Sequence, residues 1–441
     1  MEDTLAKLRQ LTLEKARLFQ QQRAKEDAKR AEKSNIVPVS GKVFDEEDVA
    51  SLVDCALDFW LTSGRFTDQF EQQLAQFFGL KYALMVNSGS SANLIALCAL
   101  TSKYLGEKRL RKNDEVITTA TSFPTTVNPI FQQGLVPVFV DVEQGTYNID
   151  ASLVEAAITS RTKAVMVAHT LGNPFDVQKI SRICKENGLF LIEDCCDALA
   201  SRFNNKPVGT FGDLATLSFY PAHHMTTGEG GAVLTDNPLL KRAAESFRDW
   251  GRDCWCKTGR TNTCGKRFGW KLGDLPEGYD HKYIYSNIGY NLKATDMQAA
   301  IGITQLRKLP SFVQKRQENF ERYFAFFKKY EKFFMLPRSC PGAQPSHFGY
   351  LVDIREGAPF SRQELVPYLE SKGIATRMLF AGNIVRQPAY KGENYRVFGT
   401  LENADHLMNN AFWIGVYPGI SSRLMDYSIS VFEGFLKKYQ N

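Results

Sequence analysis

Short apolar segments rich in β-branched residues alternate with helical patterns through the middle of this chain. Four such segments have the length and composition of buried strands, at 116–119, 136–140, 164–168 and 189–192. Helical patterns, such as 151–157 and 177–186, lie between several of them. Strands that alternate with helices predict an α/β fold with a largely parallel central sheet.

The length of 441 residues exceeds the size at which a single hydrophobic core stops growing, so two domains are expected. We divide the chain into an N-terminal helical extension (1–35), a large domain (36–305) and a smaller C-terminal α/β domain (306–441). A long helix, about 294–330, leads into the last part. Residues 250–285 interrupt the strand–helix alternation with Gly, Lys, Arg, Asn and aromatic residues, which indicates a functional loop.

The first 34 residues are rich in Leu, Lys, Glu, Gln and Ala. Their leucines form a loose helical stripe, which predicts an amphipathic helix lying on the body or on a partner subunit: Leu5, Leu8, Leu11, Leu13 and Leu18.

Composition narrows the class of protein. The hydrophobic share of 44% and charged share of 23% are those of an ordinary globular protein. A net charge of +6 suits anionic ligands such as phosphates, but no basic groove with interleaved aromatics indicates nucleic acid. Without an apolar signal core or a run of membrane-spanning length, we expect a cytoplasmic protein with no membrane insertion. Its nine cysteines are then free thiols or metal ligands.

Two segments favour an anion site and a ligand crevice. Residues 87–93, Asn-Ser-Gly-Ser-Ser-Ala-Asn, follow a strand-like segment and open a helical run, so free backbone N–H groups and a glycine could hold a phosphate. The alternative is an ordinary serine-rich helix cap. Asp194 stands at the end of an apolar strand, where α/β proteins bind ligands; the alternative is a structural carboxylate that caps the next turn.

Residues 218–231 read Ser-Phe-Tyr-Pro-Ala-His-His-Met-Thr-Thr-Gly-Glu-Gly-Gly. This segment resembles the cofactor-lysine segment of the DegT/DnrJ/EryC1/StrS sugar aminotransferase-like family, a branch of the fold-type I pyridoxal phosphate enzymes. The resemblance puts His223 where the family has its Schiff-base lysine, and no lysine occurs between Lys206 and Lys241. Imidazole forms no imine with the cofactor aldehyde, but it moves protons near neutral pH.

The resemblance implies a fold-type I, aspartate aminotransferase-like large domain and a set of site residues. The phosphate of pyridoxamine phosphate (PMP) or pyridoxal phosphate (PLP) would lie against Gly89, Ser90, Ser91 and Ser218. Asp194 would pair with the pyridinium nitrogen, and Phe123 would stack on the ring. His169 belongs to a turn near the pocket, or is a core histidine. Asn291 would reach the partner's cofactor phosphate in a homodimer. Tyr220 and Asp197 would line the site beside His223, the general base.

Four cysteines form a second unusual set, Cys196, Cys254, Cys256 and Cys264. Four thiolates can hold a [2Fe–2S] cluster or a structural zinc, and spacing alone does not separate the two. The alternative is chance scatter, as for Cys55, Cys98, Cys184 and Cys340. Cys196 is two residues beyond Asp194, at most ~7 Å of extended chain, which places a cluster there close to the cofactor and favours iron over zinc.

The order of these cysteines resembles that of a lysine-free branch of the family that removes the C3 hydroxyl of nucleotide-linked sugars. The resemblance implies PMP and [2Fe–2S] as cofactors, with CDP-4-keto-6-deoxyglucose as the substrate, in 3,6-dideoxyhexose (O-antigen) biosynthesis. It also implies an NADH-dependent iron–sulfur flavoprotein reductase as the electron donor. The alternatives are a cluster-free, lysine-free GDP-sugar 3-dehydrase of the colitose type, or a non-catalytic homologue.

Overall fold

The protein, described here from a computed structural model of residues 2–439, is built on two main sheets with separate cores. The larger sheet has eight strands in the order β1-β9-β8-β5-β4-β2-β3-β14. Of these, β9 alone runs against the direction of the others. The strands are β1 (Tyr82–Val86), β2 (Glu115–Thr119), β3 (Val136–Val140), β4 (Thr162–Ala168), β5 (Phe190–Asp194), β6 (Arg202–Phe203), β7 (Lys206–Pro207), β8 (Leu214–Ser218), β9 (Gly231–Thr235), β10 (Phe334–Met335), β11 (Ala343–Gln344), β12 (Gly349–Ile354), β13 (Thr376–Arg377), β14 (Arg396–Val397) and β15 (Ala411–Gly415).

Helices cover both faces of the large sheet, as predicted for a parallel α/β domain. One face packs the core that includes Phe70, Leu74 and Phe175, and the other packs the core that includes Ile95 and Leu240. The helices are α1 (Glu2–Ala31), α2 (Glu46–Asp58), α3 (Arg65–Phe78), α4 (Gly89–Thr101), α5 (Pro124–Gln132), α6 (Val177–Glu186), α7 (Pro238–Arg248), α8 (Asp296–Lys328), α9 (Arg362–Ser371), α10 (Glu402–Asn410) and α11 (Ser422–Leu436).

A four-stranded antiparallel sheet, in the order β10-β12-β15-β13, forms the second body. Its aromatic core includes Phe327, Tyr350 and Phe432. The long helix α8 serves both bodies, so the predicted boundary at residues 305 and 306 falls inside a continuous helix. The C-terminal part also returns β14 to the edge of the large sheet, where Arg396 binds the buried carboxylate of Glu115 at 2.8 Å.

One sequence prediction differs from the structure. Residues 151–157 form consecutive turns rather than a helix, because hydrogen bonds across three residues, such as Leu153 N–H to the Asp150 carbonyl, interrupt those across four. In α1, Leu5 and Leu18 remain 70% and 57% exposed, and the helix instead contacts α2 through ion pairs such as Arg9–Asp54 at 2.6 Å. Most of the leucines therefore stay exposed, and the helix lies on the body through α2, one of the two placements that the sequence predicted.

Within residues 2–439, no helix is both long enough and apolar enough to span a membrane.

Candidate active site

A cavity of about 540 Å³ lies between the two bodies, at the carboxyl ends of the parallel strands. The large domain contributes the ends of β5 and β8 and the start of α4, and the small domain contributes Phe348, Arg377 and Trp413. This is the edge of the sheet at which open α/β folds bind ligands. The sequence-predicted residues that line it are Gly89, Ser90, Phe123, Asp194, Cys196, Asp197, Ser218, Tyr220 and His223.

The start of α4 forms an anion cradle. Ser88 caps the helix by accepting a hydrogen bond from the Ser91 N–H at 3.0 Å, so Ser91 is engaged in the cap and does not line the cavity. A Cβ at Gly89 would lie 2.4 Å from Ser218 Cβ and 3.1 Å from Cys196 Sγ, so only glycine allows this close approach. The first N–H groups of the helix have no acceptor within it, and they favour a phosphate.

Asp194 is held rigidly at the bottom of the cavity. Its carboxylate accepts hydrogen bonds from Thr126 Oγ1 at 2.6 Å, Asn93 Nδ2 at 2.8 Å and the Cys196 N–H at 3.1 Å. Thr216 in turn orients Asn93 through a 2.6 Å hydrogen bond. Such a fixed, 4% exposed carboxylate suits a pyridinium N–H.

His223 lies in the turn between β8 and β9, and its N–H donates to the Tyr220 carbonyl at 2.9 Å. The imidazole keeps 15% exposure toward the cavity, with its Nδ1 3.4 Å from Asp197 Oδ1. Burial is the main cause that lowers the pKa of His223 to about 4, and the neighbouring charge of Arg316 lowers it further. The imidazole is therefore neutral near pH 7, which is the form that accepts a proton.

The carboxyl of Asp197, beside the imidazole, is also held in its neutral form. Burial raises the pKa of its carboxyl to about 8, and the charge of Asp194 adds to that rise. Tyr220 and Phe123 are each 51% exposed at the rim. Phe123 packs against Phe380 in an edge-to-face arrangement, at 6.4 Å between ring centroids, and its half-exposed ring is accessible to a planar ligand.

These features fit the cofactor that the sequence implies. A glycine-lined helix start for a phosphate, a buried carboxylate for a ring nitrogen and an open aromatic face converge on one cavity. Within the described residues, no lysine lines it. PLP or PMP would thus be held by non-covalent contacts alone.

Besides Ser91, two further predicted cofactor residues lie outside the cavity. His169 is fully buried, stacks on Phe175, and bonds Glu193 Oε2 at 3.2 Å while its Nδ1 accepts the Phe175 N–H. It is a satisfied core histidine beneath the site, the alternative that the sequence left open. Asn291 lies on the outer surface, where it accepts a 3.1 Å hydrogen bond from Lys293.

The four cysteines do not converge within one chain. Cys254, Cys256 and Cys264 lie together on the 250–285 loop, where the Cys256 N–H donates to Cys254 Sγ at 3.4 Å. Cys196 lies in the cavity instead. Within residues 2–439, the one group of three potential ligands within 4.8 Å is His169, Glu193 and Cys195, whose Glu193 is already occupied by backbone N–H groups.

Sequence reasoning missed several residues that support the site. Asn93 follows Gly89 by one helical turn, and Thr126 follows Phe123 in the same way. This spacing places each pair on one face of a helix and could have indicated both residues. Arg316, fully inside the fold, donates to the carbonyls of His223 at 3.1 Å and Phe348 at 3.0 Å. Nothing local in α8 distinguishes that arginine from its exposed neighbours.

Comparisons agree with this geometry. Residues 42–432 match the model of the DegT/DnrJ/EryC1/StrS aminotransferase family. The lipopolysaccharide biosynthesis protein RfbH of Salmonella typhimurium is 54% identical over 91% of this chain and 92% of its own. The dTDP-4-dehydro-2,6-dideoxy-D-glucose 3-dehydratase of Saccharopolyspora spinosa is 52% identical over 90% of this chain and 86% of its own. The structure of E. coli GDP-4-keto-6-deoxy-D-mannose-3-dehydratase with bound hydrated PLP superposes with a TM-score of 0.81 at 32% identity, covering 90% of this chain and 98% of that one. The chain belongs to the DegT/DnrJ/EryC1/StrS aminotransferase family and has the fold of the fold-type I PLP enzymes.

Proposed function

We propose that this chain is a PMP-dependent 3-dehydrase of a nucleotide-linked 4-keto-6-deoxy sugar. The observation that carries the proposal is His223, a neutral imidazole at the position of the family lysine, in one cavity with Asp194 and the Gly89 helix start. Two relatives of this chain are named as sugar 3-dehydratases. The same cavity without a lysine disfavours transamination, since it offers no amine for an imine.

When bound, PMP supplies an amine for the C4 ketone and a conjugated ring that takes up electrons. The residues of the chain do the remaining work. His223 would accept the proton of the cofactor C4′ carbon as the general base, and the imidazolium so formed would donate it to the C3 hydroxyl of the sugar, which would leave as water. Asp194 would keep the ring nitrogen protonated, and Tyr220 and Asp197 would orient the sugar beside the imidazole.

At a finer level, we propose CDP-6-deoxy-L-threo-D-glycero-4-hexulose 3-dehydrase, which acts on CDP-4-keto-6-deoxyglucose in the cytoplasm. In this proposal the four cysteines hold a [2Fe–2S] cluster, and an NADH-dependent iron–sulfur flavoprotein reductase supplies the electrons. Nine free thiols and the clustered Cys254, Cys256 and Cys264 support the assignment. The separation of Cys196 from the other three favours the second candidate, a cluster-free dehydrase of a GDP-linked sugar.

The test is a substrate and cofactor comparison on the purified protein. PMP-loaded protein receives the CDP-, dTDP- and GDP-linked 4-keto-6-deoxy sugars, with and without reductase and NADH, and mass spectrometry follows loss of the C3 oxygen. We expect turnover of the CDP sugar only with reductase, and iron with charge-transfer absorption after anaerobic reconstitution. Iron-free turnover of the GDP sugar would establish the second candidate. A pyridoxyl adduct on a lysine in the cofactor pocket after borohydride reduction would overturn both.

A further inference from the structure

Helix α4 separates the two parts of the cysteine set within one chain. Cys196 Sγ packs beside the first residue of the helix, 3.1 Å from where a Cβ on Gly89 would lie. At the other end, Tyr104, three residues beyond Thr101, donates from its hydroxyl to Asp253 Oδ2 at 2.9 Å, next to Cys254. A helix of this length spans about 18 Å, whereas the ligands of one cluster lie within a few ångströms of its iron atoms.

The cysteine loop is fixed to its own chain at that distance. Asp253 also accepts hydrogen bonds from Ser286 at 2.6 Å, His281 at 2.8 Å and Arg242 at 3.1 Å. Asn287 accepts from Ser102 at 3.0 Å. Because buried and partly buried hydrogen bonds anchor both ends of the loop, a swing that carries Cys254 to Cys196 of the same chain would break those that Asp253 accepts.

Each part of the set is nevertheless accessible from outside. Cys196 lines a cavity that opens to solvent, and the three loop cysteines are half-buried at the surface. The loop and the segment after it expose large apolar side chains, which mark a protein interface: Phe268 at 61%, Tyr283 at 59%, Tyr285 at 51% and Ile288 at 95%. The neighbouring cations Arg242 and Lys266 suit a dianionic cluster.

A second copy of this chain could bring three loop cysteines to the Cys196 of the first copy, and the reverse. In a twofold dimer every contact occurs twice, so a loop that covers the partner's cavity has its own cavity covered in return. We propose that two copies share the cysteine set, with Cys196 of one subunit and the partner subunit's Cys254, Cys256 and Cys264 holding the same iron–sulfur centre. The proposal rests on the proposed function, which supplies the cluster.

Complementary heterodimers test the sharing directly. Two differently tagged chains, one Cys196→Ala and the other Cys256→Ala, are co-expressed, and the heterodimer is isolated on both tags in turn. If the set is shared, one of the two sites keeps all four thiols, and anaerobic reconstitution gives about half the wild-type iron and charge-transfer absorption. If each chain holds its own set, both sites are broken and the heterodimer has almost none.

A second heterodimer, in which one chain carries both substitutions and the other carries none, must show the opposite iron content. A chain with both substitutions, paired with wild type, has no complete shared site, but it leaves one complete site if the set lies in one chain. Half-iron in this pair, or a monomeric wild-type protein, would overturn the proposal. Cys340→Ala, a half-buried cysteine outside the set, should keep full iron as the matched control. Wild-type protein that takes up no iron would instead refute the cluster itself, before the sharing question arises.

Discussion

At the scale of single residues, the site depends on a histidine that burial keeps neutral. The carbonyl of His223 accepts from Arg316, which fixes the backbone, and the imidazole faces the cavity beside Phe348 at 5.2 Å between centroids. A buried cation close to an imidazole disfavours the imidazolium form. The residue therefore combines a fixed position with a free base, which a flexible lysine would not provide.

Replacement of His223 by asparagine should separate binding from proton transfer. His223→Asn leaves Asp194 and the Gly89 helix start intact, so PMP should bind within about threefold of the wild-type Kd. Exchange of the C4′ proton with solvent should fall by about 10²-fold or more, since asparagine is no base. NMR of PMP in deuterated buffer measures the exchange. A near wild-type exchange rate would show that another group is the base.

A methyl group at Gly89 should obstruct the phosphate cradle. The new Cβ would lie 2.4 Å from Ser218 Cβ, and crowding of this kind costs about 1–3 kcal/mol. We expect Gly89→Ala to weaken PMP binding about tenfold or more, measured by equilibrium dialysis. Gly269→Ala is the control, because its nearest atoms lie at an ordinary 3.6 Å. Equal affinities of the two variants would remove Gly89 from the cradle.

Residue types with a strong local constraint were predictable from the sequence. Gly89, Asp194 and His223 each stand in a short motif at a strand end, and all three reach the cavity. His169 stands in a similar motif, but its ring is buried and is hydrogen-bonded to Glu193 and to the Phe175 N–H. Whether a histidine faces a cavity or a core depends on partners distant in sequence, so no local pattern separates the two.

At the scale of elements, strands buried on both faces were the easiest to predict. The segment 136–140 coincides with β3, and 177–186 with α6, because an uninterrupted apolar run and a strong helical period leave few alternatives. The two-residue strand β14 has no such pattern. It forms because Arg396 reaches the buried Glu115 across the sheet edge, 281 positions earlier in the chain.

The attachment of α10 to the small sheet should depend on pH. His406 binds the buried Asp353 at 2.8 Å, and this hydrogen bond is the main cause that raises the pKa of the imidazole. The folded pKa exceeds the unfolded one, so the stabilisation is complete below about pH 6.5 and is lost as pH rises through the folded pKa.

We therefore expect His406→Gln to reduce the free energy of unfolding by about 1–3 kcal/mol at pH 5.5 and by much less at pH 9. Urea denaturation at the two pH values measures this. Glu356 lies 3.6 Å from the other ring nitrogen but is 85% exposed, so Glu356→Gln should change stability little. A loss for His406→Gln that is the same at both pH values would exclude a charged imidazole.

At the scale of the whole molecule, the cavity lies between the two bodies and opens to solvent. Both bodies contribute walls, yet Asn291 and the cysteine loop, each expected at a cofactor site, lie on the outer surface of the same chain. Sequence alone places these residues in order along the chain, but it does not say which chain's cavity they serve. A dimer in which they face the partner's cavity accounts for both.

A charge in the exposed segment between the loop and Asn291 should disrupt that dimer. Ile288 is 95% exposed in a single chain, and its burial in the proposed interface would stabilise a dimer by about 1.5–3 kcal/mol. Ile288→Glu should weaken dimerisation tenfold or more in sedimentation velocity, because a carboxylate in an apolar interface has no partner. PMP affinity should fall in parallel, since Asn291 would no longer reach the partner's phosphate site. Leu239→Glu, at the first turn of α7 and 40% exposed, is the control and should leave both properties unchanged. If Ile288→Glu remains a wild-type dimer with wild-type affinity, the segment at 283–291 is not the interface, and the assignment of Asn291 to the partner's cofactor fails with it.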